Sequence, residues 1–354
     1  MNILLLILSP IGDTLFTTPS LKALRKGFPE AYIEVMGNEK NEEILRDIEY
    51  IDKLRICKNK SQLISKLYDL REIKYDLAIG LSNRGSYFTY MVNADKKAGF
   101  KARDLGWFYD YNLPDNRDIH AVDYCLKIVE AVGGIPDENP EMEIPITDTD
   151  RELVQDKLKM KNVKRNFPLI AIHPGGKFFT LKRWPREKFK ELVKVIDSKI
   201  NSQIVFLGGP EDEKLAEAII DRNYKYRIIP KNFAGQLSLK ESAALLELAD
   251  VFVGNDSAPQ HIASCVKTPV VSLCGPTNPV NFHPYGTKYK IIQAENINCS
   301  PCFYWLGNLI QYLPQYLPEW ANKCDNRCME NIEVNEVFKY ICFLLSDVKQ
   351  DVMI

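Results

Sequence analysis

The chain has 354 residues, of which 45% are hydrophobic and 26% charged, and its formal net charge is -1. This length predicts two domains, because single domains usually hold about 100 to 200 residues. The near-zero charge excludes a global attraction to nucleic acid. The sequence contains no apolar run of about 20 residues, the length that would predict a membrane span. The chain starts without the basic flank and cleavage site of a signal peptide, so we expect a cytoplasmic protein.

Predicted strands alternate with predicted helices. In the first part, short apolar runs are separated by the helical patterns SLKALRKGF and NEEILRDI; these runs lie at residues 3–8, 33–36 and 77–80. A second series of apolar runs, also separated by helical patterns, lies at residues 169–173, 203–207, 251–253 and 270–274. Such alternation predicts parallel sheets covered by helices, an α/β fold.

The two series predict two Rossmann-like domains. We place the N-terminal domain at residues 1–155 and the C-terminal domain at residues 156–332, and we expect the last helix, in residues 333–354, to pack back on the N-terminal domain. Ligands of such doubly wound sheets bind outside the carboxyl ends of the strands. Polar residues directly after the predicted strands are therefore the candidates for a site.

The first of these positions is Asp13, in SPIGDTLFTTPSL after the first apolar run. Aspartate is a preferred helix cap, worth about 1 kcal/mol, and capping alone accounts for its presence. A carboxylate at the carboxyl end of a strand is also placed to act as a general base.

The segment HPGGKFFTLKRWP follows the apolar run at 169–173. Its glycines, Gly175 and Gly176, let a ligand approach the backbone, and Lys182 and Arg183 supply positive charge, so the segment predicts a phosphate site. The alternative is a surface loop with a glycine turn and a solvated Lys-Arg pair.

The segment GGPEDEK places Glu211 and Asp212 at the start of a helix. Acidic side chains are favoured there by the helix dipole, so capping explains at least one of them. The functional interpretation is that Glu211 binds a pair of ribose hydroxyl groups.

The segment GNDSAPQHIA brings Asp256, Ser257 and His261 to the start of another helix, whose amides suit a diphosphate. A structural histidine and an ordinary helix cap are the alternatives. The next loop, CGPTNP, continues the same edge with Gly275 and Thr277.

These segments, in this order, resemble glycosyltransferase family 9, the ADP-heptose:lipopolysaccharide heptosyltransferase family. The resemblance implies a GT-B fold, in which two Rossmann-like domains face each other across a cleft. It also implies an inverting transfer from a nucleotide-sugar donor, with no catalytic metal. The sugar is expected to pass from ADP-heptose to a lipopolysaccharide core or related glycan.

Carried across by position, the resemblance makes Asp13 the catalytic base, Lys182 the ligand of the donor phosphates and Glu211 the ligand of the ribose. Its D-[ST]-G-x-x-H signature falls on Asp256, Ser257 and His261. Together with the loop residues above, the expected donor site comprises Gly175, Gly176, Thr180, Lys182, Arg183, Glu211, Asp256, Ser257, Ala258, His261, Gly275 and Thr277.

One position departs from the family pattern. The glycine of the signature is Ala258 here, so a methyl group stands where the family has bare backbone. If this position needs a positive φ, alanine is strained there.

The acceptor is expected to bind the N-terminal half. The segment NADKKAGFKARDLGWF mixes aromatic residues with Lys96, Lys97, Lys101 and Arg103, a composition suited to an anionic saccharide. A solvated basic loop is the alternative. A lipopolysaccharide acceptor would bring the protein to the cytoplasmic face of the inner membrane as a peripheral protein.

Four of the nine cysteines form two close pairs, Cys299 with Cys302 and Cys324 with Cys328. Four thiols at this spacing suit a tetrahedral, structural Zn²⁺. Free thiols and oxidised pairs are the alternatives.

Two other function classes compete with the transferase. A nucleotide-sugar epimerase of the same fold would alter the sugar without an acceptor. A non-catalytic sugar-nucleotide binding protein would use Lys182 and Asp256 but not Asp13. A dinucleotide-dependent oxidoreductase is disfavoured, because SPIGD stands where G-x-G-x-x-G is expected.

Overall fold

The computed structural model describes residues 1–100, 108–113, 118–164, 166–176, 180–302 and 324–351. The chain divides into two compact units, Met1–Pro145 and Ile146–Ile354. None of the helices in the described ranges is long and apolar enough to cross a membrane.

The N-terminal unit is a parallel sheet with helices between its strands. Its strands are β1 (Asn2–Ile7), β2 (Tyr32–Asn38), β3 (Lys53–Cys57), β4 (Tyr75–Gly80), β5 (Ala94–Phe100) and β6 (Tyr111–Leu113). Its helices are α1 (Ile11–Leu15), α2 (Thr18–Gly27), α3 (Glu42–Leu45), α4 (Lys60–Asp69), α5 (Asn83–Thr89) and α6 (Ala121–Ala131). A 3₁₀ turn at Glu39–Asn41 follows β2.

The C-terminal unit repeats this plan. Its strands are β7 (Leu169–His173), β8 (Gln203–Phe206), β9 (Lys231–Asn232), β10 (Val251–Asn255), β11 (Val270–Leu273) and β12 (Tyr289–Ile292). Its helices are α7 (Asp148–Met160), α8 (Arg186–Lys199), α9 (Glu213–Ile219), α10 (Leu239–Glu247), α11 (Ala258–Cys265), α12 (Pro279–Phe282), α13 (Arg327–Glu330) and α14 (Val334–Asp351). Two 3₁₀ turns lie at Thr180–Lys182 and Pro210–Asp212.

Both sheets have the doubly wound strand order. The first runs β3-β2-β1-β4-β5-β6 and the second β12-β11-β10-β7-β8-β9, which is the same order read from the other edge. The direction of winding reverses between β1 and β4 and between β7 and β10. Ligands of such sheets bind outside the carboxyl ends of the strands at this reversal. Each unit therefore offers one position at which a site is expected.

The boundary between the two units differs from the predicted one. It falls after Pro145 rather than after residue 155, because α7 belongs to the C-terminal unit: Val154 and Leu158 are buried, and Lys157 pairs with Glu241 of α10 at 2.6 Å.

The last helix was predicted to pack on the N-terminal domain, and this prediction is wrong. α14 buries Val337, Ile341 and Leu344 in the hydrophobic core of the C-terminal unit. That core includes Phe189 of α8 and Val253 of β10. The apolar stripe of an amphipathic helix shows that it packs on a core, but not which core.

Candidate functional site

Asp13 lies in the N-terminal unit, just past the carboxyl end of β1. It is half-buried in the first turn of α1, where the helix dipole favours a carboxylate. The cap position itself is taken by Pro10, so capping does not account for Asp13. Burial raises the pKa of the Cys125 thiol on α6, and the nearby Asp13 carboxylate adds to this effect.

Two asparagines hold the turn that carries Asp13. The side-chain amide of Asn41 donates to the Ile7 carbonyl and to the Thr14 hydroxyl, both at 3.0 Å, and that of Asn38 donates to the Ser9 carbonyl at 2.8 Å. Sequence analysis missed these residues, whose only local signal is the capping box that they form across the 3₁₀ turn. The turn that carries Asp13 is therefore held by residues at the end of the neighbouring strand β2 and in the 3₁₀ turn that follows it.

The structure does not bring the basic residues of β5 to Asp13. Lys96 pairs with Leu77, which pairs with Ile3, so Lys96 is level with the start of β1. Asp13 follows the other end, about 13 Å further along the strand. The main-chain amide of Lys97 donates to Asp110 at 2.8 Å, and its ammonium group donates to the Tyr90 carbonyl at 3.4 Å. Burial lowers the pKa of Lys97, against the raising effect of Asp110. The remaining two predicted acceptor residues, Lys101 and Arg103, lie outside the described residues.

In the C-terminal unit, most predicted donor residues follow β7, β8, β10 or β11 at the carboxyl edge. Asn255, at the end of β10, fixes the loop after β7. Its side-chain amide donates to the main-chain carbonyls of Pro174 (3.0 Å) and Gly175 (2.8 Å), and its side-chain Oδ1 accepts from the main-chain amide of Trp184 at 2.9 Å. This residue was also missed by sequence analysis. Residues 180–182 form the 3₁₀ turn between these anchors, which places both Thr180 and Lys182 in the loop.

Lys182 and Asp256 form the charged centre of this edge. The Lys182 Nζ lies 3.4 Å from Asp256 Oδ2. Asp256 is only 5% exposed and accepts a hydrogen bond of 2.7 Å from the Gln260 amide. Gln260 is fixed in turn by Ser272 (2.6 Å). The ammonium group is thus held at the reversal point between β7 and β10.

His261 is neutral at pH 7. Its Nε2 lies 3.8 Å from Asp256 Oδ1, and the residue is 4% exposed. Burial lowers the pKa of His261 to about 4; the Asp256 carboxylate opposes this shift, and the Lys182 charge adds to it. His261 therefore offers an uncharged imidazole next to the charged pair.

Two residues expected to face phosphate have partners inside the protein. The Arg183 guanidinium donates to the Gly176 carbonyl at 3.0 and 2.7 Å and so closes its own loop. A β-carbon at Gly175 would overlap the carboxylate of Asp212, which lies against this glycine. Gly175 is therefore required for packing, whereas Gly176 has more room, with Arg183 Cγ at 3.6 Å from such a β-carbon.

Asp212 is the buried member of the acidic pair after β8, and Glu211 is exposed. Asp212 contacts His173 Nε2 at 3.3 Å and accepts from the Gly209 amide at 3.1 Å. Burial by itself would raise the pKa of Asp212, but the hydrogen bonds from His173 and from the Gly209 amide, together with nearby positive charge that includes Arg183, lower it. The other nitrogen of His173, Nδ1, lies 3.0 Å from the Ser257 hydroxyl.

The last predicted donor residues follow β11. A β-carbon at Gly275 would overlap Met329 of α13, so this glycine admits a helix rather than a ligand. Thr277 is 2% exposed, and within the described part of the chain its hydroxyl has no hydrogen-bond partner. A buried hydroxyl without a partner is costly, and a bound ligand would relieve that cost.

Ala258 is not strained. It is the first residue of α11, and it is not one of the described non-glycine residues with positive φ, which are Asn162, Lys267, Asn296 and Asn326. The backbone here does not need glycine.

The four paired cysteines lie near one another in the C-terminal unit. Burial, together with the smaller effect of the neighbouring thiols, raises the pKa of Cys302 to about 11 and that of Cys328 to about 12. Cys299, Cys302, Cys324 and Cys328 are not joined in disulfides, and in the described ranges no three His, Cys, Asp or Glu side chains are grouped so as to hold a metal ion.

Comparisons with known proteins point to one family. The profile of glycosyltransferase family 9 (heptosyltransferase) matches residues 65–309. The chain is 27% identical to lipopolysaccharide heptosyltransferase 3 of Escherichia coli K12 over 318 residues, which is 85% of this chain and 90% of that protein.

Solved structures agree with this result. A family 9 glycosyltransferase from Veillonella parvula DSM 2008 has a TM-score of 0.82 and 23% identity, covering 98% of this chain and 97% of that one. The E. coli ADP-heptose lipopolysaccharide heptosyltransferase II has a TM-score of 0.74 and 18% identity, covering 99% and 100%. These similarities confirm the predicted α/β fold of the GT-B class.

Proposed function

This chain belongs to glycosyltransferase family 9, and we propose that it transfers a heptose from ADP-heptose to a lipopolysaccharide core or a related glycan. The names of its relatives support both substrates: one is a lipopolysaccharide heptosyltransferase, and another is named for ADP-heptose. With a lipid-linked acceptor, the enzyme would work as a peripheral protein at the cytoplasmic face of the inner membrane.

The observation that carries the proposal is the group of residues at the reversal point of the C-terminal sheet. Lys182, a helix N-terminus at Ser257 and the hydroxyl of Thr277, which has no hydrogen-bond partner among the described residues, all follow strands at the edge where such folds bind nucleotides. An ammonium group and a helix N-terminus are the groups that bind a diphosphate. Glu211, exposed after β8, is assigned to the ribose hydroxyls.

Asp13 is assigned the role of general base. The acceptor oxygen attacks the anomeric carbon while the bond from that carbon to the diphosphate oxygen breaks, and the hydroxyl proton passes to the Asp13 carboxylate. Attack opposite to the leaving group inverts the configuration. General-base catalysis typically contributes about 10²- to 10⁴-fold. Lys182 and the amides of α11 neutralise the charge that develops on the leaving diphosphate, a task that needs no Mg²⁺.

The deciding experiment measures transfer from ADP-heptose to a deacylated core acceptor, with identification of the product anomer. We expect transfer with inversion, unchanged by EDTA, and a loss of at least about 10²-fold in kcat for Asp13→Asn with ADP affinity retained. Glu30→Gln, at an exposed turn of the same unit, is the matched control. A free, altered sugar without acceptor would indicate an epimerase, and ADP-heptose binding without turnover would indicate a binding protein.

The nucleotide is tested separately. A thermal-shift screen of nucleoside diphosphates is expected to select ADP, because a ligand at 100 times its dissociation constant adds about 2.7 kcal/mol to stability. Stabilisation by UDP or GDP in its place would contradict ADP-heptose as the donor while leaving glycosyl transfer open.

We propose that the four paired cysteines bind a structural zinc once their thiols have moved together, since no three of them are grouped to hold a metal ion in the structure as described. The supporting observations are their spacing, the mutual electrostatic effect of their thiols and the amide of Asn326, which donates to Cys324 Sγ at 3.4 Å. Four protein ligands leave no open position for catalysis. Elemental analysis should give about one zinc per chain, lost in Cys324→Ser and kept in Cys342→Ser. A metal-free, folded protein would contradict this assignment.

A further inference from the structure

Gln260 is a fully buried amide at the charged centre of the C-terminal unit. It is 0% exposed and lies on α11, at a position that the D-[ST]-G-x-x-H signature leaves open. A buried side-chain amide without hydrogen bonds would be costly, so its partners indicate what it does.

Each end of the Gln260 amide has a defined partner. Its Nε2 donates to Asp256 Oδ1 at 2.7 Å and to the Phe282 carbonyl at 3.2 Å, and its Oε1 accepts from the Ser272 hydroxyl at 2.6 Å. A carbonyl and an ionised carboxylate only accept hydrogen bonds, so the opposite orientation of the amide would place oxygen against oxygen. The orientation of the amide is therefore fixed by its partners.

Ser272 fixes the far end of the amide. It is 0% exposed on β11, and because Gln260 Oε1 can only accept, the Ser272 hydroxyl donates. Burial, with the smaller effect of the Asp256 carboxylate, raises the pKa of Cys274 to about 12, so this residue stays a thiol at neutral pH. The Cys274 thiol lies 3.4 Å from the Ser272 hydroxyl and can donate to it. The donors thus run in one direction, from Cys274 toward Asp256.

The two oxygens of Asp256 consequently have different partners. Oδ1 accepts from Gln260 at 2.7 Å, whereas Oδ2 faces Lys182 Nζ at 3.4 Å. Hydrogen bonds between an ammonium group and a carboxylate are usually about 2.7–2.9 Å long, so this ion pair is a loose one. The carboxylate cannot turn to close the gap while Gln260 holds its other oxygen.

We propose that Gln260, oriented by Ser272, holds the Asp256 carboxylate so that it keeps Lys182 in place without gripping it, which leaves the ammonium group available to the donor diphosphate. This inference rests on the proposed function. Gln260 and Ser272 are positioning residues, since both are fully buried and act through Asp256. Without the Gln260 amide, Asp256 would turn toward Lys182, and the diphosphate would have to displace a tighter ion pair.

The test is calorimetric binding of ADP and of inorganic pyrophosphate to variants of the full-length protein. Gln260→Met keeps the length of the side chain and removes its hydrogen bonds, so we expect both ligands to bind about threefold to tenfold more weakly, the effect of one hydrogen bond. Unchanged affinity would overturn the proposal.

Ser264→Ala is the matched control. Its hydroxyl lies on the same helix, in a residue only 1% exposed, and donates to the main-chain carbonyl of Gln260 at 2.9 Å rather than to the side chain. Removal of this hydroxyl leaves the Gln260 amide and Asp256 as they are, so both affinities should stay at those of the parent.

The discriminating background is Asp256→Asn. This substitution keeps an oxygen that accepts from Gln260 but removes the charge that would grip Lys182, so Gln260→Met should cost no affinity in this background. If Gln260 merely packed α11 against β11, its loss would be the same in both backgrounds, and that additive result overturns the proposal. Should Gln260→Met fail to fold, Ser272→Ala and Ser272→Ala/Asp256→Asn carry the same comparison.

Failure of the inference and failure of the proposed function are distinguishable. Pyrophosphate binding involves neither the nucleoside nor Asp13 nor an acceptor, so the comparison between the two backgrounds is readable even if the protein transfers no heptose. Conversely, equal losses in a protein that still transfers heptose would remove only the role of Gln260. A parent protein that binds neither ADP nor pyrophosphate would overturn both.

Discussion

Lys182 Nζ lies 3.4 Å from Asp256 Oδ2, and the two residues come from loops that follow adjacent strands, β7 and β10. Asp256 is nearly buried, whereas the Lys182 side chain is 20% exposed. The ammonium group thus has one side on the carboxylate and another toward solvent. This arrangement fixes a positive charge at the reversal point before any ligand binds.

The first prediction concerns Lys182. Lys182→Ala should weaken ADP binding by about 10- to 150-fold, because hydrogen bonds to charged groups contribute about 1.5 to 3 kcal/mol. Lys182→Arg, which keeps the charge, should retain most of the affinity. Isothermal titration calorimetry makes the comparison, and equal affinity for Lys182→Ala and the parent would remove the residue from the donor site.

The second prediction separates two neighbouring glycines. Gly175→Ala should lower the free energy of unfolding by about 1 to 3 kcal/mol, because the new methyl group overlaps the held carboxylate of Asp212. Gly176→Ala is the matched control, since among the described residues its β-carbon meets only Arg183 Cγ, at 3.6 Å. Urea denaturation of both variants checks this, and similar stabilities would show that the loop adapts.

The third prediction concerns the departure at Ala258. Ala258→Gly should leave ADP affinity within about twofold, because the residue already has helical backbone. The variant should lose up to about 1 kcal/mol of stability, since glycine is entropically costly in a helix. Calorimetry and thermal unfolding give the two quantities. A gain of tenfold or more in affinity would show that the methyl group obstructs the donor.

The fourth prediction is an acid sensitivity between pH 6.5 and 4. The pKa of His261 is about 4 in the folded protein and 6.5 unfolded, so the unfolded chain binds more protons in this window and stability falls as the pH is lowered. The full loss is about 3 kcal/mol at 1.36 kcal/mol per pKa unit. The lowered pKa of Asp212 adds a further loss at more acid pH, as that carboxylate becomes protonated.

Urea midpoints at pH 7 and pH 4.5 measure this effect, with His261→Gln as the comparison. The variant has no titrating group at this position, so its midpoint should fall less between the two pH values. A parallel fall in both proteins would assign the acid sensitivity to other groups.

The central strands of both sheets were predictable because they are buried on both faces. β1, β7, β10 and β11 read as continuous apolar runs, as parallel strands covered by helices do. β5 and β9 carry lysines instead and gave no such signal. The doubly wound order then follows from the alternation of strands and helices, but the assignment of α14 to one core does not.

The residues of the donor loops were predictable as a set, because the carboxyl ends of parallel strands meet at one edge. Their individual environments were not predictable. Asp212 was set beside Glu211 as a possible cap; it does accept from the Gly209 amide at the start of its 3₁₀ turn, and it also forms a buried pair with His173. Gly175, expected to admit a ligand, admits the Asp212 carboxylate. Arg183, expected to face phosphate, closes its own loop.

The sequence by itself determined the fold class, the family and the edge of each sheet where chemistry is expected, because hydrophobic periodicity and the order of motifs are properties of the chain. The tertiary structure decided which polar groups satisfy one another. His173, Asp212 and Ser257 lie on three different segments, and Asn255 reaches a loop some 80 residues away along the chain. Hydrogen bonds between such distant residues depend on distances and angles that exist only once the strands are paired.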